Sequence, residues 1–162
     1  MVKMTFYIKC DYKIRQGHHH DDGDGTRYSG FDHEEYYDHT FNISDKKMDY
    51  PDATFGSVDT KSYVVAVIYG DGGTFGRTDG YVQYIGAFSK DKADKIAAQI
   101  LKVTDNRYYK YNLEHDKKAA DKYDNDLREL KDLINDKNFY AQWLGYFSSF
   151  EKLFILCSDG TY

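Results

Sequence analysis

Proline, cysteine and uninterrupted apolar sequence are all scarce in this chain. Pro51 is the one proline in 162 residues. Turns must therefore be made by Gly, Asp and Asn, and a Pro-rich linker is excluded. Two cysteines, Cys10 and Cys157, make no disulfide framework, so a reduced setting, the cytoplasm of a host cell, is expected. The longest strongly apolar run, Tyr63 to Tyr69, is seven residues, against the ~20 that a membrane-spanning helix needs. The opening MVKMTFYIKCDYK has no apolar h-region and no small-residue cleavage site, so a signal peptide is not expected. An excess of basic charge is also missing. The net charge is −5, which argues against a general nucleic-acid binder and against direct contact with nucleic acid.

What is present is enough for a core. Hydrophobic residues make up 41% and charged residues 30%, a globular balance, and one domain over residues 1–162 is expected. Seventeen Tyr and ten Phe favour strands, and tyrosine also builds contact surfaces with a polar tip. The charge is unevenly placed. Residues 1–60 hold seven Lys/Arg against twelve Asp/Glu, while residues 61–162 hold fifteen of each, so the first section carries the whole net charge. Five of the six histidines lie there too. Solvated loops are the bland explanation of such a section, and a partner-facing surface is the functional one.

Along the chain, Met4, Phe6 and Ile8 alternate with Thr5, Tyr7 and Lys9, the period of a strand. Gly17 to Gly30 is a polar loop, and His39 to Ser44 reads as a second strand. Asp45 to Thr60 is turn-rich. Ser62 to Tyr69 is β-branched and apolar on both faces, as a central strand is, and Tyr81 to Phe88 returns after a Gly-rich loop. Ser89 caps a helix carrying Ala93, Ile96, Ala97, Ile100 and Leu101 at helical spacing, with Thr104-Asp105-Asn106 at its end. A second helix is predicted from about Asp116 to Asn135, with Ala120, Tyr123, Leu127, Leu130 and Ile134 along one face. Glu151 to Cys157 closes as a strand. Strands first and helices late predict an α+β fold: a mainly antiparallel sheet with two helices packed on one face. Residues 61–162 form its ββα-α-β section. The stripe on the second helix fits packing on the sheet, and its near-heptad spacing alternatively fits a homodimer.

Three motifs offer chemistry. Gly72, Gly73, Thr74, Phe75 and Gly76 form a loop between two strands. A hairpin using glycine for positive φ explains it structurally, and a backbone nest for a nucleotide or other anion explains it functionally. It is no Walker loop, because G-K-[ST] is absent, and no Rossmann fingerprint, because a strand follows. His18, His20 and His33 are candidate metal ligands of a metal-dependent enzyme or sensor, though the acidic loop around them lacks the closing Glu of a calcium site. No resident cofactor is expected. Cys10 and Cys157 fall in apolar strand patterns, where thiols are mostly buried and inert.

The segment YVVAVIYGDGGTFGRTDGYVQYIGAFSKDKADKIAAQI, together with Trp143-Leu144-Gly145-Tyr146-Phe147, resembles small phage and mobile-element proteins, anti-CRISPR and other anti-defence inhibitors among them. The likeness covers about a third of the chain and its motifs are structural. It implies an inhibitor or adaptor that binds a host protein and is not an enzyme. The residues expected to meet the partner are Asp21, Asp22, Asp24, Tyr28, Glu34, Glu35, Tyr36 and Tyr37. Their carboxylates would compete with nucleic acid for the basic groove of a host defence nuclease.

Overall fold

The structure is a computed structural model describing residues 3–16, 35–59, 61–70, 81–107, 115–144 and 149–160. Among these residues six strands run in chain order: β1 Lys3–Gln16, β2 Glu35–Ser44, β3 Ala53–Asp59, β4 Tyr63–Gly70, β5 Tyr81–Phe88 and β6 Ser149–Cys157. Among the described residues two helices, α1 Lys90–Arg107 and α2 Lys117–Ile134, lie between β5 and β6, followed by a 3-10 turn at Gln142–Leu144. The fold is α+β, and every strand pairing is antiparallel.

The strands form two three-stranded sheets where one was expected. Sheet A has the order β2-β1-β3, and sheet B the order β5-β4-β6. Two apolar clusters show how they stack. Phe6, Ile8 and Phe41 of sheet A pack on Val64, Ala66, Ile68 and Leu156 of sheet B. On the opposite face of sheet B, Val65 and Val67 pack with Ala93, Ile96, Ile100 and Val103 of α1, Leu130 of α2, and Trp143. Sheet B is thus the middle of three layers, with sheet A on one side and the helices on the other. Alternate β4 residues serve different cores, which is why this strand is apolar on both faces. Burying a large apolar side chain is worth ~1.5–3 kcal/mol, and Val64, Val65, Val67 and Ile68 are all essentially inaccessible.

The helix ends follow ordinary capping chemistry. The Lys92 amide donates to Ser89 Oγ at 3.4 Å. The Asp116 carboxylate accepts from the Lys118 amide at 3.0 Å and the Ala119 amide at 3.4 Å, satisfying donors that have no partner within the helix. Asn135 closes α2 in the left-handed conformation, its N–H directed to the Asp132 and Lys131 carbonyls. Helix α1 runs past Thr104-Asp105-Asn106 to Arg107. On its inner side Val103 is buried, while Leu101 is 48% exposed, so the stripe departs there from the expected one. The α2 stripe faces inward: Leu130 is buried, and Tyr123, Leu127 and Ile134 pack against the helix-side core. The stripe that suggested a homodimer is therefore used within the chain.

The region read as turns up to Thr60 contains β3. Its sequence, ATFGSVD, hides the alternation: Ser57 adopts a positive φ of 57°, and the pairing with β1 shifts register between Met4 and Phe6. Where β1 passes the start of β3, Asp52 closes the ladder. Its amide donates to the Ile8 carbonyl at 2.9 Å, and its carboxylate accepts the Cys10 amide at 2.6 Å.

Candidate functional site

Most residues expected to meet a partner or ligand fall outside the described residues. These are Asp21, Asp22, Asp24, Tyr28 and Glu34, the loop Gly72 to Gly76, and His18, His20 and His33. Glu35, Tyr36 and Tyr37 are placed at the start of β2. The register sets Glu35 opposite Gln16, Tyr36 opposite Arg15 and Tyr37 opposite Ile14. β3 pairs with β1 only as far as Ile8, so among the described residues β1 and β2 continue from Lys9 to Gln16 as a two-stranded ribbon. At ~3.4 Å per residue, those eight residues carry the ribbon about 25 Å.

The acidic section presents a further aromatic residue that the sequence reading passed over. Tyr50, in the turn between β2 and β3, is 88% exposed and has a φ of 56°. A bulky side chain in the left-handed region is an outlier that costs roughly 1–3 kcal/mol and persists only where its surroundings fix it. Those surroundings are visible. The turn is held at one end by the Lys46 amide donating to Ser44 Oγ at 3.0 Å and at the other by the two Asp52 hydrogen bonds. The signal available in the sequence was Asp49-Tyr50-Pro51-Asp52, an aromatic residue pinned beside the one proline.

Asp52 also organises a small polar junction between the sheets. Burial, then the carboxylates of Asp52 and Asp11, push the Cys10 thiol up to about 11. Such a thiol stays protonated and is a poor nucleophile. Tyr84 of β5 is raised well above 10.0 by burial, then by Asp52 and Cys10. Its hydroxyl is buried without a hydrogen-bond partner.

A second aromatic patch belongs to the balanced section. Tyr69 and Tyr81, at the two strand ends that flank the Gly-rich loop, have ring centroids 5.6 Å apart. Tyr69 donates to Gln142 Oε1 at 2.5 Å. Gln83 donates to the Tyr140 carbonyl at 2.7 Å, and its Oε1 accepts the Gln142 amide at 3.2 Å. Tyr140 is 68% exposed. Burial, then the neighbouring Tyr81 and Tyr140, raise the Tyr69 hydroxyl.

Among the described residues no three His, Cys, Asp or Glu side chains come together as a metal ion needs, and no helix is long and apolar enough to cross a membrane. No family model, curated protein or solved structure matches the chain.

Proposed function

We propose that the protein is a non-enzymatic inhibitor or adaptor that works by protein contact through its acidic, tyrosine-bearing first sixty residues. The observation that carries this reading is Tyr50. An aromatic side chain is held almost fully in solvent, on strained backbone, within the section that holds the whole net charge. Exposed aromatics are the usual anchors of an interface, and strained backbone gathers at binding sites. The target chemistry that matches is a basic groove, such as the nucleic-acid channel of a phage-restricting nuclease, where carboxylates compete with phosphates.

The test compares two variant sets against purified nucleases by binding kinetics over a range of salt. Neutralising Asp21, Asp22, Asp24, Glu34 and Glu35 to Asn or Gln should slow association and flatten the salt dependence. Changing Tyr28, Tyr36, Tyr37 and Tyr50 to Ala should speed dissociation. Unchanged kinetics in both sets would remove this section from the interface.

One observation favours a second reading. The Tyr69–Tyr81 pair stands at the base of the Gly-rich loop, where a nucleotide base held by that loop would find a stacking surface. Nucleotide-dependent quenching of tyrosine fluorescence, lost in Tyr81→Ala, would favour it.

A further inference from the structure

We infer that Tyr69 and Tyr81 form a modification site. A one-electron oxidant, such as a peroxidase acting with hydrogen peroxide, joins their rings as dityrosine and so staples β4 to β5. The inference is independent of the contact proposed for the first sixty residues.

Strand pairing brings the two phenols together. Tyr69 and Tyr81 stand opposite one another in the β4–β5 register, so their side chains leave the sheet on the same face. The ring centroids are 5.6 Å apart and the ring planes are inclined by 33°. A bond between ring carbons needs the centroids to close by little more than an ångström. Rotation about the side-chain torsions supplies such a shift quickly where a residue is exposed. Other close ring pairs, such as Phe6–Phe55 and Trp143–Phe150, include a phenylalanine, which has no phenolic hydrogen to give up.

One ring is held and the other can be reached. Tyr69 packs against the helix-side core and donates to Gln142 Oε1 at 2.5 Å. The Gln142 amide donates in turn to Gln83 Oε1 of β5 at 3.2 Å, which ties the anchor of Tyr69 to the strand that carries Tyr81. Tyr81 is 48% exposed, so an oxidant meets it from solvent. Tyr50 and Tyr140 are more exposed, and exposure alone would favour coupling of those residues between chains. Two groups fixed side by side in one fold react at an effective concentration that no second chain in dilute solution matches.

The chemistry balances. Each phenol gives up one electron and its hydroxyl proton. The two radicals couple at the ring carbons next to the oxygen-bearing ones, forming one carbon–carbon bond. The hydrogens on those carbons then pass to the oxygens and restore both phenols. The protein has lost two hydrogen atoms, and one hydrogen peroxide has become two waters.

The test treats the full chain with peroxidase and limiting hydrogen peroxide and isolates the monomer by size exclusion. The monomer should show the blue fluorescence of dityrosine and a mass lower by two hydrogen atoms. After digestion, the linked peptides should carry Tyr69 and Tyr81. Tyr81→Phe keeps the ring without the hydroxyl and should lose nearly all of the monomer signal. Tyr50→Phe and Tyr140→Phe should keep it. A monomer without dityrosine, a link mapped to another pair, or a full signal in Tyr81→Phe would each overturn the assignment. If Tyr81→Phe does not fold, the peptide map of the wild type decides.

Discussion

Sheets A and B have the same number of strands and the same antiparallel pairing, yet their middle strands differ in kind. β4, in the middle of sheet B, is buried from Val64 to Ile68 without a break. β1, in the middle of sheet A, buries Phe6 and Ile8 but leaves Lys3, Thr5 and Asp11 exposed. The difference comes from the layers. Sheet B is covered twice, by sheet A and by α1, so both faces must be apolar. Among the described residues sheet A is covered once, and residues such as Lys3, Thr5 and Asp11 on its other face are exposed. Sheet B therefore carries much of the stability, while among the described residues sheet A buries only the face that meets sheet B.

A pair of matched substitutions tests that division most severely. Val65→Asp puts an unpaired carboxylate between sheet B and α1 and should cost about 4 kcal/mol or abolish folding. Thr5→Asp, on the outer face of β1, should stay within ~0.5 kcal/mol of the wild type. Urea denaturation of both reads the contrast, and similar midpoints would mean that sheet B is not covered on both faces.

Next in size is Trp143. It is fully buried against Phe150, with ring centroids 5.7 Å apart, and its Nε1 has no hydrogen-bond partner. Trp143→Ala should cost ~3–5 kcal/mol for the lost packing. Trp143→Phe also removes the unsatisfied donor, which offsets part of the lost area, so it should retain well over half of that stability. Equal losses in thermal unfolding would show that the indole N–H contributes a favourable interaction.

The junction of the two sheets should appear in the pH dependence. The Cys10 thiol is held up to about 11 in the folded chain, against 9.0 ordinarily, and Tyr84 is raised above 10.0. The unfolded chain therefore releases these protons first. Their stabilisation is complete below pH 9 and falls as pH climbs toward 11. Cys10→Ala should flatten the start of that decline, and Tyr84→Phe its upper part. Unaltered alkaline profiles for both variants would mean that neither group is shielded as the structure shows.

Much of this architecture was legible because period and burial coincide. The alternation of Phe6 and Ile8, the two-faced apolar β4, the Ser89 and Asp116 caps and the α2 stripe each match one element. The division into two sheets was not read, although β4 carried the clue: a strand apolar on both faces needs two covers, and two helices on one side supply only one. β3 was missed because a short edge strand with Gly56 and a left-handed Ser57 has too few inward residues to show a period. The proposed contact site was less legible. Charge placement pointed to the first sixty residues, but the conformation of Tyr50 arises from hydrogen bonds between Asp52 and β1, more than forty residues apart in sequence, which no local pattern records.

Tyr50 also supplies the smallest expected effect on stability, and the one that best separates folding from contact. Its φ of 56° is a region glycine occupies freely. Tyr50→Gly relieves the local strain, while the added freedom of the unfolded chain opposes folding by a similar ~1 kcal/mol. The side chain is 88% exposed, so little packing is lost. The melting temperature should move by only a degree or two either way, because ~1 kcal/mol shifts a domain of this size by about 2–4 °C and two opposing terms nearly cancel. Tyr50→Ala relieves less of the strain and should be slightly less stable than Tyr50→Gly. If the tyrosine is a contact anchor, both variants should lose partner residence time together despite their difference in stability. A residence time that follows the melting temperature would instead make Tyr50 a feature of the turn alone. The contact surface would then have to be carried by the β1–β2 ribbon or by exposed Tyr81 of sheet B and Tyr140 just before the 3-10 turn.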